Sequence, residues 1–82
     1  MDKREQILKE LQQIFRNELE DETIILNYDS SADNTDKWDS INNLMIITAI
    51  EEFYEIVLPI EVIFNAENVG DLISFIEENV NL

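Results

Sequence analysis

The sequence predicts a single all-α domain over residues 1–82, built from four helical segments. A chain of 82 residues has the size of one domain with one hydrophobic core. It contains only one Gly and one Pro, which leaves little material for the tight turns that join β-strands. Hydrophobic residues make up 45% of the chain, which is enough for folding despite the high charge, and they recur at helical spacing.

The first helix is predicted from apolar residues three and four positions apart, which form one face of an amphipathic helix. These residues are Ile7, Leu8, Leu11, Ile14, Phe15 and Leu19.

A polar stretch from Glu20 to Lys37 follows, and it contains a small apolar island. The island consists of Ile24, Ile25 and Leu26 together with Tyr28. We expect it to hold the long loop against the core, and loops of this length in small domains are often functional.

Three further helices are predicted after the loop. The second runs from Ser40 to about Glu55, and Pro59 then blocks helix continuation. A short third helix is expected to follow, with the apolar residues Val62, Ile63 and Phe64. Asn68 is predicted to cap the last helix, with Asp71 in a position like that of a capping box. The buried face of the last helix is expected to consist of Leu72, Ile73, Phe75, Ile76 and Val80.

The second helix has more apolar residues than one face can hold. At about 100° per residue, the core side is predicted to contain Ile46, Ile50, Phe53, Tyr54 and Val57. A nearly opposite set, which we call the docking stripe, consists of Ile41, Leu44, Met45, Thr48, Glu51, Glu52 and Glu55. An apolar stripe that begins beside Ser40 and ends in acids indicates a surface for a partner protein. The alternative is that the preceding loop folds over part of it.

Acidic residues dominate the charge, since nineteen Asp and Glu against five Lys and Arg give a formal net charge of −14. All five bases lie in the first 37 residues, and the segment from Trp38 to Leu82 has nine acids and no base. Such a surface repels nucleic acid and anionic membranes and attracts basic patches on proteins. We therefore expect basic protein partners, with neither nucleic acid binding nor membrane insertion. The alternative is a surface that only promotes solubility.

Two residue types that enzymes commonly use are missing. There is no Cys, which excludes disulfides, thiolate nucleophiles and Cys-based metal sites. There is no His, which removes the usual acid–base group near neutral pH. An enzyme built from carboxylates is the alternative, but 82 residues offer little room for a deep cleft. We therefore expect a protein that is not an enzyme and has no catalytic residues.

A calcium loop is one alternative, because oxygen-bearing residues alternate at Asp29, Ser31, Asp33 and Thr35. The EF-hand pattern needs Gly at its sixth place and Glu at its twelfth, where this chain has Asn34 and Ser40. We therefore expect no metal site.

The chain also shows no apolar run of transmembrane length and no signal peptide, so we expect a cytoplasmic protein. We also expect it to be a monomer.

Ser40 is the residue for which the sequence predicts a specific chemistry. It follows Lys37, Trp38 and Asp39 and directly precedes the apolar run of the second helix. A hydroxyl at a helix N-terminus lies beside unpaired backbone N–H groups and the positive end of the helix dipole, which favour an attached phosphate. The alternative is that Ser40 or Asp39 is simply the N-cap of the helix.

Four stretches together resemble an acyl carrier protein. They are Asp39-Ser40-Ile41, the helix end Ala49–Tyr54, the segment Glu55–Pro59 and the late element Asn68–Leu72. The three-residue motif alone is weak, but the resemblance covers most of the chain and needs no gaps from Trp38 onward.

The resemblance implies a four-helix bundle with a long loop between helices 1 and 2, and a covalent 4′-phosphopantetheine arm on Ser40, flanked by Asp39 and Ile41. The arm comes from coenzyme A, is attached by a phosphopantetheinyl transferase, and ends in a thiol that holds acyl groups as thioesters. The implied partners are acyl-loading, acyl-transfer and condensing enzymes of fatty acid, polyketide or related biosynthesis. Positions matching the family's acyl pocket are Ile50, Leu58, Ile63, Ala66 and Leu72, which serve equally well as core.

The chain departs from the family's usual pattern at several positions. Ile41 replaces the commonest Leu, and Asn42 and Met45 stand where fatty-acid-type carriers usually have acids. Docking near Ser40 is therefore expected to be more apolar, and Trp38 is more typical of specialised stand-alone carriers. An aminoacyl or peptidyl carrier with the same arm, and an unmodified acidic protein that binds a basic partner, remain the alternatives.

Overall fold

The computed structural model describes residues 2–35 and 37–80, which form four α-helices. They are α1 (Lys3–Glu18), α2 (Ser40–Tyr54), α3 (Ile60–Asn65) and α4 (Val69–Asn79). The helix α1 packs against both α2 and α4. The all-α prediction is confirmed, including the long α1–α2 loop and the short third helix after Pro59.

Side chains cap three of the helices, because the first backbone N–H groups of a helix have no partner within it. Asp2 accepts from the backbone N–H of Glu5 in α1, and Asp39 caps α2. Asn68 accepts from the N–H of Asp71 in α4, as predicted. The carboxylate of Asp71 reaches back to the N–H of Glu67, at 2.9 Å, one residue further than in a capping box.

One hydrophobic core joins α1, α2, α4 and the loop. Its buried residues are Ile7, Leu11, Ile14, Phe15, Leu19, Ile24, Leu26, Ile46, Ile47, Ile50, Leu58, Val69, Leu72, Ile73 and Ile76. The predicted inner faces of α1 and α4 are confirmed in their main residues, whereas Leu8, Phe75 and Val80 are only partly buried. No residue of α3 is buried.

The loop is fixed to α1 through its apolar island. Ile24 and Leu26 are buried in the core, while Ile25 points outward and is 75% exposed. The Arg16 side chain donates Nε–H to the carbonyl of Ile24 at 2.8 Å. The N–H of Leu26 donates to Oε1 of Gln12 at 2.9 Å. The expected anchoring role of the island is therefore confirmed.

The loop is also fixed to the start of α4. The N–H of Val69 donates to the carbonyl of Ser30 at 2.8 Å, and that of Gly70 donates to the carbonyl of Tyr28 at 2.9 Å. A Cβ added at Gly70 would lie 3.1 Å from this Tyr28 oxygen. Glycine therefore permits the close approach that holds the loop beside α4.

Two residues of the predicted core side of α2 lie at the surface. Phe53 is 55% exposed and Val57 is 80% exposed, while the unpredicted Ile47 is buried. Helical spacing fails for Val57 because α2 ends at Tyr54 and Glu55 adopts the left-handed conformation with φ of 56°. Phe53 lies at the edge of the buried stripe, where its ring packs edge-on against Tyr54.

Within residues 2–35 and 37–80, none of the helices combines the length and apolar character that crossing a membrane requires.

Candidate functional site

Ser40 is the first residue of α2, and its side chain is exposed. Asp39, and not Ser40, is the N-cap. A single carboxylate oxygen of Asp39 accepts from the backbone N–H groups of Ile41 at 3.0 Å and of Asn42 at 2.8 Å. Two of the N–H groups expected to be unpaired at this helix start are therefore already satisfied. The positive end of the α2 dipole still favours negative charge at this position.

The side chain of Ser40 faces solvent. Among the described residues, no side chain or backbone group forms a hydrogen bond with it. Asn42 helps to shape the segment before it, since its side-chain amide donates to the carbonyl of Lys37 at 2.6 Å. Lys37 has a positive φ of 69° and forms an ion pair with Asp21 at 3.5 Å. The chain preceding Ser40 is thus held by contacts to the loop and to α2.

A hollow of about 280 Å³ opens beside Ser40, between α2, α3, the α1–α2 loop and the start of α4. Its apolar wall consists of Trp38, Ile47, Ile63, Ala66 and Leu72. Its polar wall includes Ser31, Asp33, Asn43, Glu67 and Asn68. The volume is just below the ~300–1,000 Å³ that is usual for small-molecule sites. The hollow therefore has room for a small group of mixed polarity.

The expected pocket positions divide into two groups. Ile63, Ala66 and Leu72 line the hollow, whereas Ile50 and Leu58 do not and are buried in the core. The polar side, formed by loop residues such as Ser31 and Asp33, was not predicted. The loop lies beside Ser40 because it is hydrogen-bonded to the start of α4. No local sequence pattern predicts that contact.

Trp38 connects the hollow to the core. Its ring packs edge-on against Phe15 of α1, with the ring centroids 4.8 Å apart. Its indole Nε1–H donates to Oδ1 of Asn43 at 2.8 Å. These contacts fix the tryptophan directly before Asp39 and Ser40, so it forms a rigid wall beside the serine.

The apolar part of the docking stripe is exposed, as its helical position predicts. Ile41 is 75% exposed, Leu44 is 64% exposed and Met45 is 46% exposed, and Thr48 is also exposed. The loop therefore does not fold over these side chains, and the alternative of a covered stripe is wrong. Whether a partner uses this surface stays a prediction.

The acids of the stripe do not share one environment. Glu52 and Glu55 are exposed. Glu51 is partly buried, and its Oε2 accepts from the backbone N–H of Leu58 at 2.8 Å. This carboxylate therefore holds the turn after α2, in addition to any contribution to docking.

The described residues contain no group of three or more His, Cys, Asp or Glu side chains placed to hold a metal ion. The loop residues that resemble a calcium loop instead bond to one another. Oδ1 of Asn34 accepts from the N–H of Ser31 at 2.8 Å, and its amide donates to the carbonyl of Asp29 at 3.3 Å.

The fold and the site define a small helical protein with an exposed serine at the head of its second helix. The chain is similar to the solution NMR structure of a holo acyl carrier protein from Geobacter metallireducens, with a TM-score of 0.81 and 32% sequence identity. The match covers 87% of this chain and 82% of the other. No protein-family model matches the chain. The chain belongs to the acyl carrier protein family, and its fold supports the role of a carrier.

Proposed function

We propose that this protein carries acyl intermediates as thioesters on a 4′-phosphopantetheine arm attached to Ser40, and presents them to partner enzymes. The observation that supports this most directly is the position of Ser40. It is exposed, it begins α2, and it borders the hollow of about 280 Å³. That the solved relative is a holo protein supports a prosthetic group here as well.

The residues around Ser40 fit the arm. The exposed hydroxyl is accessible to a transferase, and the positive end of the α2 dipole favours the phosphodiester that the modification creates. Trp38, Ile63 and Leu72 offer an apolar wall to whatever enters the hollow. When bound, the arm supplies the thiol that this sequence lacks. The chain itself positions the attachment point and offers the docking stripe to partners.

The acyl cargo is proposed to be of fatty acid, polyketide or related type. An aminoacyl cargo on the same arm is the second candidate, because the hollow is partly polar. Asp33 and Glu67 lie on its wall together with Ser31, and a purely apolar chain gains nothing from these groups. A small polar cargo could bond to them.

Intact mass spectrometry tests the modification. The protein is incubated with coenzyme A, Mg²⁺ and a broad-specificity phosphopantetheinyl transferase, and the mass is expected to rise by one phosphopantetheine. Ser40→Ala should abolish the gain. Ser74→Ala, which removes another exposed hydroxyl on α4, is the matched control and should keep it. Unmodified wild type with several transferases, or labelling that persists in Ser40→Ala, would contradict the proposal and favour an unmodified acidic binding protein.

A further inference from the structure

A groove runs along the seam between α1 and α2, on the side where Phe53 is exposed. We call it the α1–α2 groove. One hollow of about 290 Å³ is lined by Ile14, Asn17, Glu18, Ala49, Glu52 and Phe53. A second, of about 380 Å³, shares Ile14, Asn17 and Phe53 and extends along α1 to Gln6. The two hollows therefore adjoin each other at Ile14, Asn17 and Phe53.

Phe53 is the main apolar group of this groove. It is 55% exposed and lines both hollows, with the buried Ile14 beneath. Aromatic side chains at the centre of a concave surface are frequent anchors of protein–protein contacts. The exposed ring is thus placed to pack against an apolar side chain from outside.

The first hollow has an unbalanced negative charge, whereas the wall of the second has Lys9 and Glu10, whose charges are opposite. Glu18 of α1 and Glu52 of α2 line the same hollow, and both also line the neighbouring hollow beside Met45. The ion pairs found in residues 2–35 and 37–80 involve neither of them. Two like charges facing one gap repel each other, and a cation between them would remove the repulsion.

We propose that the α1–α2 groove binds an amphipathic helix of a partner protein, with an apolar side chain against Phe53 and a Lys or Arg between Glu18 and Glu52. Along α1 the groove runs from Gln6 to Glu18, about 18 Å at the helical rise, which matches about three turns of a bound helix. A second copy of this chain is a poor occupant, because each copy has a net charge of −14 and the copies repel each other.

This surface is separate from the attachment point. Phe53 lies thirteen residues after Ser40 in α2, which corresponds to about 20 Å along the helix axis. A partner in the groove therefore leaves Ser40 free. Binding is expected to be independent of modification, so the proposal does not rest on the proposed function.

The test uses the full ¹⁵N-labelled chain and a synthetic amphipathic helical peptide made of Leu and Lys. Amide shifts are expected to change mainly in residues 14–18 and 49–53, and a matched Leu/Glu peptide should leave them unchanged. Phe53→Ser and the double variant Glu18→Gln/Glu52→Gln should each raise the Kd about tenfold. Ser40→Ala should bind like wild type, whatever the result of the mass experiment.

Matched control variants distinguish binding in the groove from nonspecific electrostatic or hydrophobic binding elsewhere on the surface. Ile25→Ser removes an exposed apolar residue elsewhere, and Glu22→Gln/Glu78→Gln removes two exposed acids elsewhere. Both should leave the Kd within about twofold of wild type. The proposal would be overturned if the control variants lost affinity for the peptide as much as the groove variants do. Amide shift changes confined to residues 41–45, or self-association through the groove in sedimentation, would also overturn it.

Discussion

Glu51 and Leu58 are joined across the turn that follows α2, since Oε2 of Glu51 accepts from the backbone N–H of Leu58 at 2.8 Å. The carbonyl of Glu51 also accepts from the N–H of Ile56 at 3.2 Å. Between them Glu55 adopts a left-handed conformation, and Leu58 is buried. These two bonds of Glu51, the left-handed Glu55 and the buried Leu58 together set the path of the chain to Pro59 and α3.

The first prediction is that Glu51 contributes to stability and Glu52 does not. Glu51→Ala should lower the free energy of unfolding by about 1–2 kcal/mol, because it leaves the N–H of Leu58 without its charged acceptor. Glu52→Ala should stay within about 0.5 kcal/mol of wild type, since Glu52 is exposed and lacks such a bond. Urea unfolding measures both. Glu51→Gln, which keeps an acceptor, is the control and should lose less than Glu51→Ala.

Most of the fold could be predicted from the sequence, because it depends on local patterns. The apolar spacing in α1, the stop at Pro59 and the cap at Asn68 each have a direct physical cause within a few residues. Phe53 and Val57 were misplaced for a different reason. Their burial depends on where α2 ends and how closely α1 approaches, and one helical wheel contains neither piece of information.

The candidate site likewise combines features that follow from local sequence with contacts that only the tertiary fold creates. Ser40 and the outward direction of Met45 follow from their positions in α2. The bond of Glu51 to Leu58 and the contacts of Trp38 with Phe15 join residues that only the tertiary fold brings together. The sequence therefore predicts which residues are candidates, and the packing determines which of them also have structural roles.

The second prediction concerns alkaline pH. The Tyr54 hydroxyl donates to Oε1 of Glu10 at 2.8 Å, and burial together with this carboxylate raises the pKa of Tyr54 well above the ordinary value of about 10. The unfolded chain thus releases this proton first. The stabilising contribution is complete below about pH 10 and is lost as pH rises through the folded-state pKa.

In urea unfolding between pH 8 and 11, the free energy of unfolding should decline less steeply with pH for Tyr54→Phe than for wild type. Parallel curves would contradict this.

The third prediction concerns the charged end of the docking stripe. Glu52→Lys and Glu55→Lys should weaken binding to a partner enzyme and make it less sensitive to salt, because exposed charges act mainly through long-range attraction. Folding should hardly change. Acyl-transfer rates at low and high salt measure the effect, with Glu78→Lys on α4 as the control. If the stripe variants transfer acyl groups like Glu78→Lys at low salt, these acids take no part in docking that enzyme.

The last prediction concerns Met45, which is 46% exposed on the outer face of α2 and lies beside Leu44, Thr48 and Glu52 in a shallow hollow. A flexible thioether suits an adaptable apolar contact, so we expect the native partner to present an apolar patch here. Met45→Glu should lower the acyl-transfer rate with that partner about tenfold, as is typical of losing one buried anchor. Generic fatty-acid enzymes, which accept acidic carriers, should tolerate the change or prefer it.

A thermal melt is the folding control, and because Met45 is half-exposed the melting temperature should hardly move. A large drop in melting temperature would show that Met45 supports the fold, and equal rates with both enzyme types would show that it takes no part in docking.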